Sequence, residues 1–431
     1  MPTFAAPALT AETIAIGTEL LIGGKSDANS LFLAEELGKL GIEVRFKSVV
    51  GDTQSDIAHA VGQAAKRAGV VIMTGGLGPT MDDRTREAVA QATGRRLDKR
   101  KDAMDGIKAR LAQWGRTPNK GQLRQARIPS GASVLANPVG SAPGFCLAWK
   151  RTFIVSLPGV PKEMEAMMVQ EVIPILKSKL EGSKQAIRPI VRQVFYTFGL
   201  AEADVDAKLK GLIPKGAPVD LGLLASPMGV LVSLTTLSKS TKGRMKGDFL
   251  QPLAQKVRSR LKDWLFAEGC ETMEEVVGRL LTKKGLTVAV AESCTGGLIG
   301  HRLTQVPGSS GYFDRGIVCY SNGAKMELLG VPASLLEKHG AVSAPVAAAM
   351  ANGIRERSGT DIGLSVTGIA GPDGGTATKP VGLVYIGLDG GEGETITKEF
   401  RFHGDRHVIK QRSSQAALDV LRRWLLGRGG T

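Results

Sequence analysis

The sequence predicts an α/β protein built of several domains. Short, uniformly apolar runs alternate with segments of helical period, and many of the 55 glycines fall where one gives way to the other. At 431 residues the chain exceeds one ordinary core, since domains usually hold roughly 100 to 200 residues.

The first segment opens with a strand at Thr13 to Ile16 ending in Gly17, then a helix with Leu31, Ala34, Leu37 and Leu40 on one face, stopped at Gly41. A strand from Ile42 to Val50, a helix near Ser55 to Ala68 and the run Val70 to Met73 repeat the unit. Strands this apolar imply a parallel sheet covered on both faces. Further strands are expected at Phe145 to Trp149 and Phe153 to Leu157, then a helix from about Pro161 to Leu180. A second segment reads strand (Val191 to Phe198), helix (Glu202 to Leu212), two strands (Asp220 to Leu224, Val230 to Leu237) and helix (Phe249 to Leu265), with a polar connection from Ser238 to Lys246. In the third, a helix (Glu271 to Lys284) precedes a strand (Thr287 to Val290) leading into Glu292-Ser293-Cys294. Strands follow at Gly316 to Tyr320, Ile362 to Val366, Gly382 to Leu388 and Thr395 to Phe402, and a helix closes the chain from Asp405 to about Leu426. The three expected domains cover 10–182, 185–268 and 271–431.

No apolar run approaches the roughly 20 residues that span a bilayer, and no basic stretch precedes an apolar one at the N-terminus, so a cytoplasmic protein without membrane association is expected. The four cysteines, Cys146, Cys270, Cys294 and Cys319, lack C-x-x-C spacing, which argues against a disulfide framework or a zinc knuckle. His403 and His407 stand four apart but have no carboxylate cluster to complete a metal site. Of the net charge of +15, residues 271–431 supply little, with 18 Lys/Arg against 16 Asp/Glu; residues 1–270 hold 38 against 25. The dense basic runs Arg95 to Arg127 and Lys239 to Lys262 leave two readings open, solvated helix faces or a surface for nucleic acid.

Three strand-end loops in the third segment carry the chemistry: AESCTGG at 291–297, YSNGAK at 320–325 and TGIAGPDGG at 367–375. In open α/β sheets such loops converge on one crevice. Ser293 is the candidate nucleophile on an exposed strand-to-helix turn. Thr295, Gly296 and Gly297 begin the helix and offer backbone N–H groups to an oxyanion or phosphate. Cys294 is the rival nucleophile, its thiolate favoured by a helix start, although no histidine lies in these loops to act as its base. A serine that merely caps the helix would look the same. In the first segment TGGLGPTMDD at 74–83 places Gly75, Gly76, Gly78 and Thr80 where backbone N–H groups meet phosphate, with Asp82 and Asp83 at a helix start able to hold a hard metal ion.

The third segment resembles the nicotinamide mononucleotide deamidase domain of the competence/damage-inducible protein A (CinA) family. It does so through AESCTGG, VPGSS (306–310), YSNGAK, HGAVS (339–343), VTGIAGPDGG (366–375), KPVG (379–382) and GDR (404–406). The resemblance implies hydrolysis of the nucleotide's carboxamide to nicotinic acid mononucleotide and ammonia. It gives Ser293 as nucleophile and Lys325 as base, with no metal, and implies a homodimer. Tyr320 and Thr367 are candidates for orienting lysine or substrate. Cys294, Asn322, Gly368 and Arg406 join the glycine turn as candidate substrate contacts. A lysine base needs a lowered pKa, from burial or from a cation such as Arg406 or Lys379.

The first segment resembles the family's molybdopterin-binding-like three-layer domain. GTELL (17–21), DANS (27–30), TGGLGPTMDD, TPN (117–119), SAPG (141–144) and LPGVPKEM (157–164) carry the likeness. It implies divalent-metal-dependent ADP-ribose pyrophosphatase activity, with Glu19, Asp82 and Asp83 as metal ligands and Asn29 among the substrate contacts. Lys120 replaces the arginine expected after Pro-Asn, and Gly199 to Ala203 replaces a Gly-Ile-Gly-Glu-Ser-like stretch, which puts that activity in doubt. The middle segment resembles the family's α+β KH-like domain without a clear Gly-x-x-Gly clamp. The deamidase reading leads. Its alternatives are an enzyme active only in the N-terminal domain, and a competence or DNA-repair interaction protein without catalysis.

Overall fold

The computed structural model describes residues 10–181, 190–236, 250–391, 393 and 395–427. Phe249, the connection Ser238 to Lys246 and the boundary residues 182 and 185 lie outside them. The chain forms two compact units: one takes the described residues up to Val191 with Thr236, the other Arg192–Thr235 and the described residues from Leu250 onward. Among the described residues no helix is long and apolar enough to cross a membrane.

In the first unit a six-stranded sheet runs in the order Glu43–Val50, Thr10–Ile16, Val70–Thr74, Thr152–Leu157, Gly144–Trp149, Ser133–Leu135. The first four strands are parallel and the last two antiparallel. The antiparallel pair follows from chain length, because Lys150 and Arg151 alone join Trp149 to Thr152, and a two-residue link allows only a hairpin. Val70–Thr74 is buried along its whole length. Its side chains alternate between two cores, Val71 and Met73 in one, Val70 and Ile72 in the other, which makes the domain three-layered.

Thr10–Ile16 lies between Glu43–Val50 and Val70–Thr74, so the chain reverses its direction of advance there and the loops after Ile16 and Thr74 meet at a switch point. Gly75 is where they touch. Its φ is +106°, and a Cβ there would stand 2.2 Å from the carbonyl oxygen of Ile16. Gly75→Ala should therefore cost about 2 to 5 kcal/mol, backbone strain plus overpacking. Thermal unfolding of the variant at an unchanged midpoint would contradict this packing.

The middle segment, which lies in the second unit except for Thr236, forms a four-stranded sheet, Val219–Ser226, Gly229–Thr236, Arg192–Thr197, Leu265–Glu268, covered by helices Glu202–Leu209 and Leu250–Leu261. The C-terminal segment forms a five-stranded sheet, Phe313–Val318, Val288–Glu292, Ile362–Gly368, Leu383–Asp389, Thr395–Arg401. Its first three strands are parallel and its last two antiparallel. The helices Met273–Lys284 and Arg406–Leu425 pack on one face, where Val277, Leu281, Ala416, Ala417 and Leu421 join Val288, Val290, Leu364 and Val366. The closing helix also holds the middle segment, through Arg422 Nη2 donating to the Asp263 carbonyl at 2.9 Å.

Candidate active site

The strand Val288–Glu292 is fully buried, and Ser293 continues its pairing by donating its N–H to the Val366 carbonyl at 3.0 Å. The chain then turns through Gly296 (φ +61°) and Gly297 (φ +93°), left-handed conformations that suit glycine, into the helix Leu298–Thr304. The carboxylate of Glu292, 1% exposed, accepts from the N–H groups of Gly297 (3.0 Å), Ile299 (3.1 Å) and Gly300 (2.8 Å). This corrects the expectation that the Gly297 amide is free for substrate: a side chain of the protein already occupies it. Gly296 donates to the Ser293 carbonyl. The Cys294 amide meets only its own thiol, and the Thr295 amide finds no acceptor among the described residues. Glu292 has no place among the sequence-derived candidates; its signal was a carboxylate at a strand end just before a glycine turn.

Ser293 is only 8% exposed, where the sequence suggested an open turn. Beside it lies Lys325, 1% exposed, on the helix Asn322–Leu329, whose first turn is capped by Ser321 accepting from the Ala324 N–H at 3.0 Å. Lys325 Nζ stands 3.2 Å from Ser293 Oγ, 2.9 Å from the Cys319 carbonyl oxygen and 3.2 Å from that of Tyr320. Burial lowers the lysine below its usual 10.5. The expected cationic neighbours do not bring this about. Lys379 Nζ donates to the carbonyls of His339 (2.6 Å) and Val342 (2.8 Å), and Arg406 reaches the Gly371 carbonyl (2.8 Å) and the Tyr320 hydroxyl (2.9 Å). A neutral amine has two N–H donors and one lone pair. As an ammonium Lys325 donates to Ser293 Oγ and both carbonyls; once neutral, it would keep its two donors on the carbonyls and turn its lone pair to the serine hydroxyl.

Cys294 points the other way, into the hydrophobic core at 5% exposure. Burial pushes its thiol up to about 12, against the thiolate that a helix start was expected to favour. Its side chain is part of the core packing. Tyr320 contributes its carbonyl to Lys325, while its side chain is 59% exposed and bonds Arg406, so no catalytic hydroxyl reaches the site. Thr367 also falls out: its buried hydroxyl donates to the Ala341 carbonyl at 2.8 Å and anchors the loop at 340–343. Gly368 sits in strand pairing with Val384, where a Cβ would stand 2.7 Å from Val384 Cγ2. The Thr295 hydroxyl is buried without a partner, Asn322 is exposed at the start of its helix, and Arg406 ties the Tyr320 and Gly371 loops to the closing helix. Lys410, which sequence reasoning missed, lies one helical turn after Arg406, with Nζ 3.4 Å from where a Cβ on Gly296 would be. The i, i+4 pair of cations was its signal.

In the N-terminal unit the glycines of the 74–83 loop make room for the loop itself. A Cβ would meet Thr85 Oγ1 at 2.2 Å from Gly76 and Asp83 Oδ2 at 2.5 Å from Gly78. Asp83 accepts from the Thr80 N–H at 2.8 Å and from its hydroxyl, and the buried Arg86 donates to the carbonyls of Leu77 (2.8 Å) and Gly78 (3.1 Å). Asn29 Nδ2 donates to the Gly159 carbonyl at 2.9 Å. Glu19 lies against Gly17, and Asp82 is exposed. Among the described residues no three Asp, Glu, His or Cys side chains gather as a metal would require, so Glu19, Asp82 and Asp83 as placed do not fit one. Lys120 is exposed; it is Arg124 that reaches the loop, at the Thr80 carbonyl.

Three family profiles match the chain: "CinA C-terminal domain" over 270–425, "Damage-inducible protein CinA KH domain" over 192–267 and "Probable molybdopterin binding domain" over 12–178. A CinA-like protein of Geotalea uraniireducens is 42% identical over 96% of this chain and 97% of its own length. One of Kosmotoga olearia is 41% identical over 97% and 99%. Among solved structures, the competence/damage inducible protein CihA of Agrobacterium tumefaciens is 44% identical over 35% of this chain and 93% of its own, with a TM-score of 0.34.

Proposed function

We propose, from the premise that this chain belongs to the CinA family, that its C-terminal domain hydrolyses the carboxamide of nicotinamide mononucleotide to nicotinic acid mononucleotide and ammonia. The observation that carries the reading is the buried Lys325 amine 3.2 Å from Ser293 Oγ, with its N–H groups on two backbone carbonyls. Lysine takes the hydroxyl proton as Oγ attacks the carboxamide carbon. The tetrahedral oxyanion accepts from the amides of Cys294 and Thr295. The lysine ammonium then protonates the departing nitrogen, which leaves as ammonia. The same amine deprotonates the water that cleaves the acyl ester, returning the serine hydroxyl and releasing the carboxylate.

For the N-terminal domain the family resemblance implies metal-dependent cleavage of ADP-ribose. With Asp83 bonded to Thr80 and Glu19 elsewhere, no step through a metal is derived. Two digests separate the activities. The full chain incubated with nicotinamide mononucleotide should release ammonia whether or not EDTA is present, and absence of ammonia removes the amidase reading. ADP-ribose with magnesium tests the other domain: AMP release that EDTA abolishes means that the 74–83 loop rearranges to admit a metal, and no release removes the pyrophosphatase.

A further inference from the structure

We infer that Lys410 recognises the phosphate of the substrate and makes the site selective for phosphate monoesters over their uncharged nucleosides. This rests on the amidase reading and deepens it.

Lys410 is half-buried, yet it makes no hydrogen bond or ion pair among the described residues. The other cations around the turn are all held by protein oxygens: Lys325 by Ser293 and two carbonyls, Lys379 by two carbonyls, Arg406 by the Gly371 carbonyl and the Tyr320 hydroxyl. Nearby carboxylates are occupied as well. Glu292 accepts three amides, and Asp405 caps its helix by accepting from the Val408 N–H at 2.8 Å. The protein thus leaves the Lys410 ammonium without an anion of its own, and a bound ligand can supply one.

The position of Lys410 says which part of a ligand that is. Nζ stands 3.4 Å from the Cβ that Gly296 lacks, over the exposed end of the turn that begins at Ser293. Its field also reaches the Cys294 thiol, as does that of Lys325. The reacting end of the substrate is a neutral carboxamide on a cationic ring, which a lysine cannot favour. The anionic end can pair with it. Glycine at 296 keeps the approach clear.

The test compares nicotinamide mononucleotide with nicotinamide riboside on the full chain. Binding of both to a Ser293→Ala background is measured by calorimetry, and kcat/KM of both on unsubstituted protein. In Lys410→Met the preference for the phosphorylated form should fall roughly 10- to 100-fold, the range expected for a hydrogen bond to a charged group, mainly through KM. Lys410→Arg should restore most of it. A preference that survives Lys410→Met overturns the inference, as does equal or undetectable binding of the two ligands to the background protein. If no ammonia is released but binding still depends on phosphate and on Lys410, the amidase reading falls and this one stands.

Discussion

Replacing Lys325 with methionine should lower kcat/KM for nicotinamide mononucleotide by about 10²- to 10⁴-fold, the usual contribution of a positioned general base. Methionine matches the length of the side chain but has no lone pair for the Ser293 proton. Lys325→Arg should be equally inactive, because a guanidinium does not deprotonate in a protein. The pH profile makes the test specific. Burial lowers the folded-state pKa below 10.5, and the base works only when neutral. Activity should therefore climb as pH rises through the lowered value and level off above it, with its midpoint below the ordinary lysine range. Stability follows the same sign. Between the folded value and 10.5 the unfolded chain binds more protons, so the unfolding free energy rises with pH there, and Lys325→Met should lose that rise. An Arg variant of full activity, or a rate independent of pH up to 10.5, would rule out the base.

The loop carrying Lys325 was visible as a strand end, whereas its role as base came only from the family resemblance; what else of the site could be read depended on distance along the chain. The strand before Ser293 and the turn after it are local: apolar residues 288–291 end at Glu292, and two glycines supply the positive φ that lets a helix start at once. Lys325 follows a second strand, and parallel pairing of Phe313–Val318 with Val288–Glu292 brings the two strand ends together. Partners fixed by the return of the chain could not be read. Nothing local says that Glu292 folds forward onto three amides, or that the Thr367 hydroxyl turns to Ala341, 26 residues back. Neighbours in sequence also face opposite ways: Ser293 looks toward Lys325 and Cys294 into the core. In the N-terminal loop the glycine pattern was read as a phosphate cradle, but Gly75, Gly76 and Gly78 each adjoin an atom of the fold closely enough to explain the missing side chain.

Exchanging Ser293 and Cys294 for alanine in turn should give opposite results. Ser293→Ala removes the hydroxyl that lies 3.2 Å from the lysine amine and should cost about 10³-fold or more in kcat, since residues that act as one catalytic unit fail together. Cys294→Ala should stay within a few-fold of the starting activity. With burial pushing its pKa up to about 12, the thiol stays protonated near neutral pH and is not poised to attack. What Cys294 contributes is packing. Losing its sulfur from the core beside Val290, Val366 and Ile409 should cost about 1 kcal/mol and lower the melting temperature by about 2 to 4 °C. Thiol reagents give an independent reading. Cys270 is the one exposed cysteine, while Cys146, Cys294 and Cys319 are buried, so labelling the native protein should modify Cys270 and leave ammonia release intact. Loss of activity in Cys294→Ala with its retention in Ser293→Ala would reverse the assignment. The Lys325 amine would then be serving a thiol that its surroundings hold in the protonated form, and the 3.2 Å contact with Ser293 would be only a buried hydrogen bond.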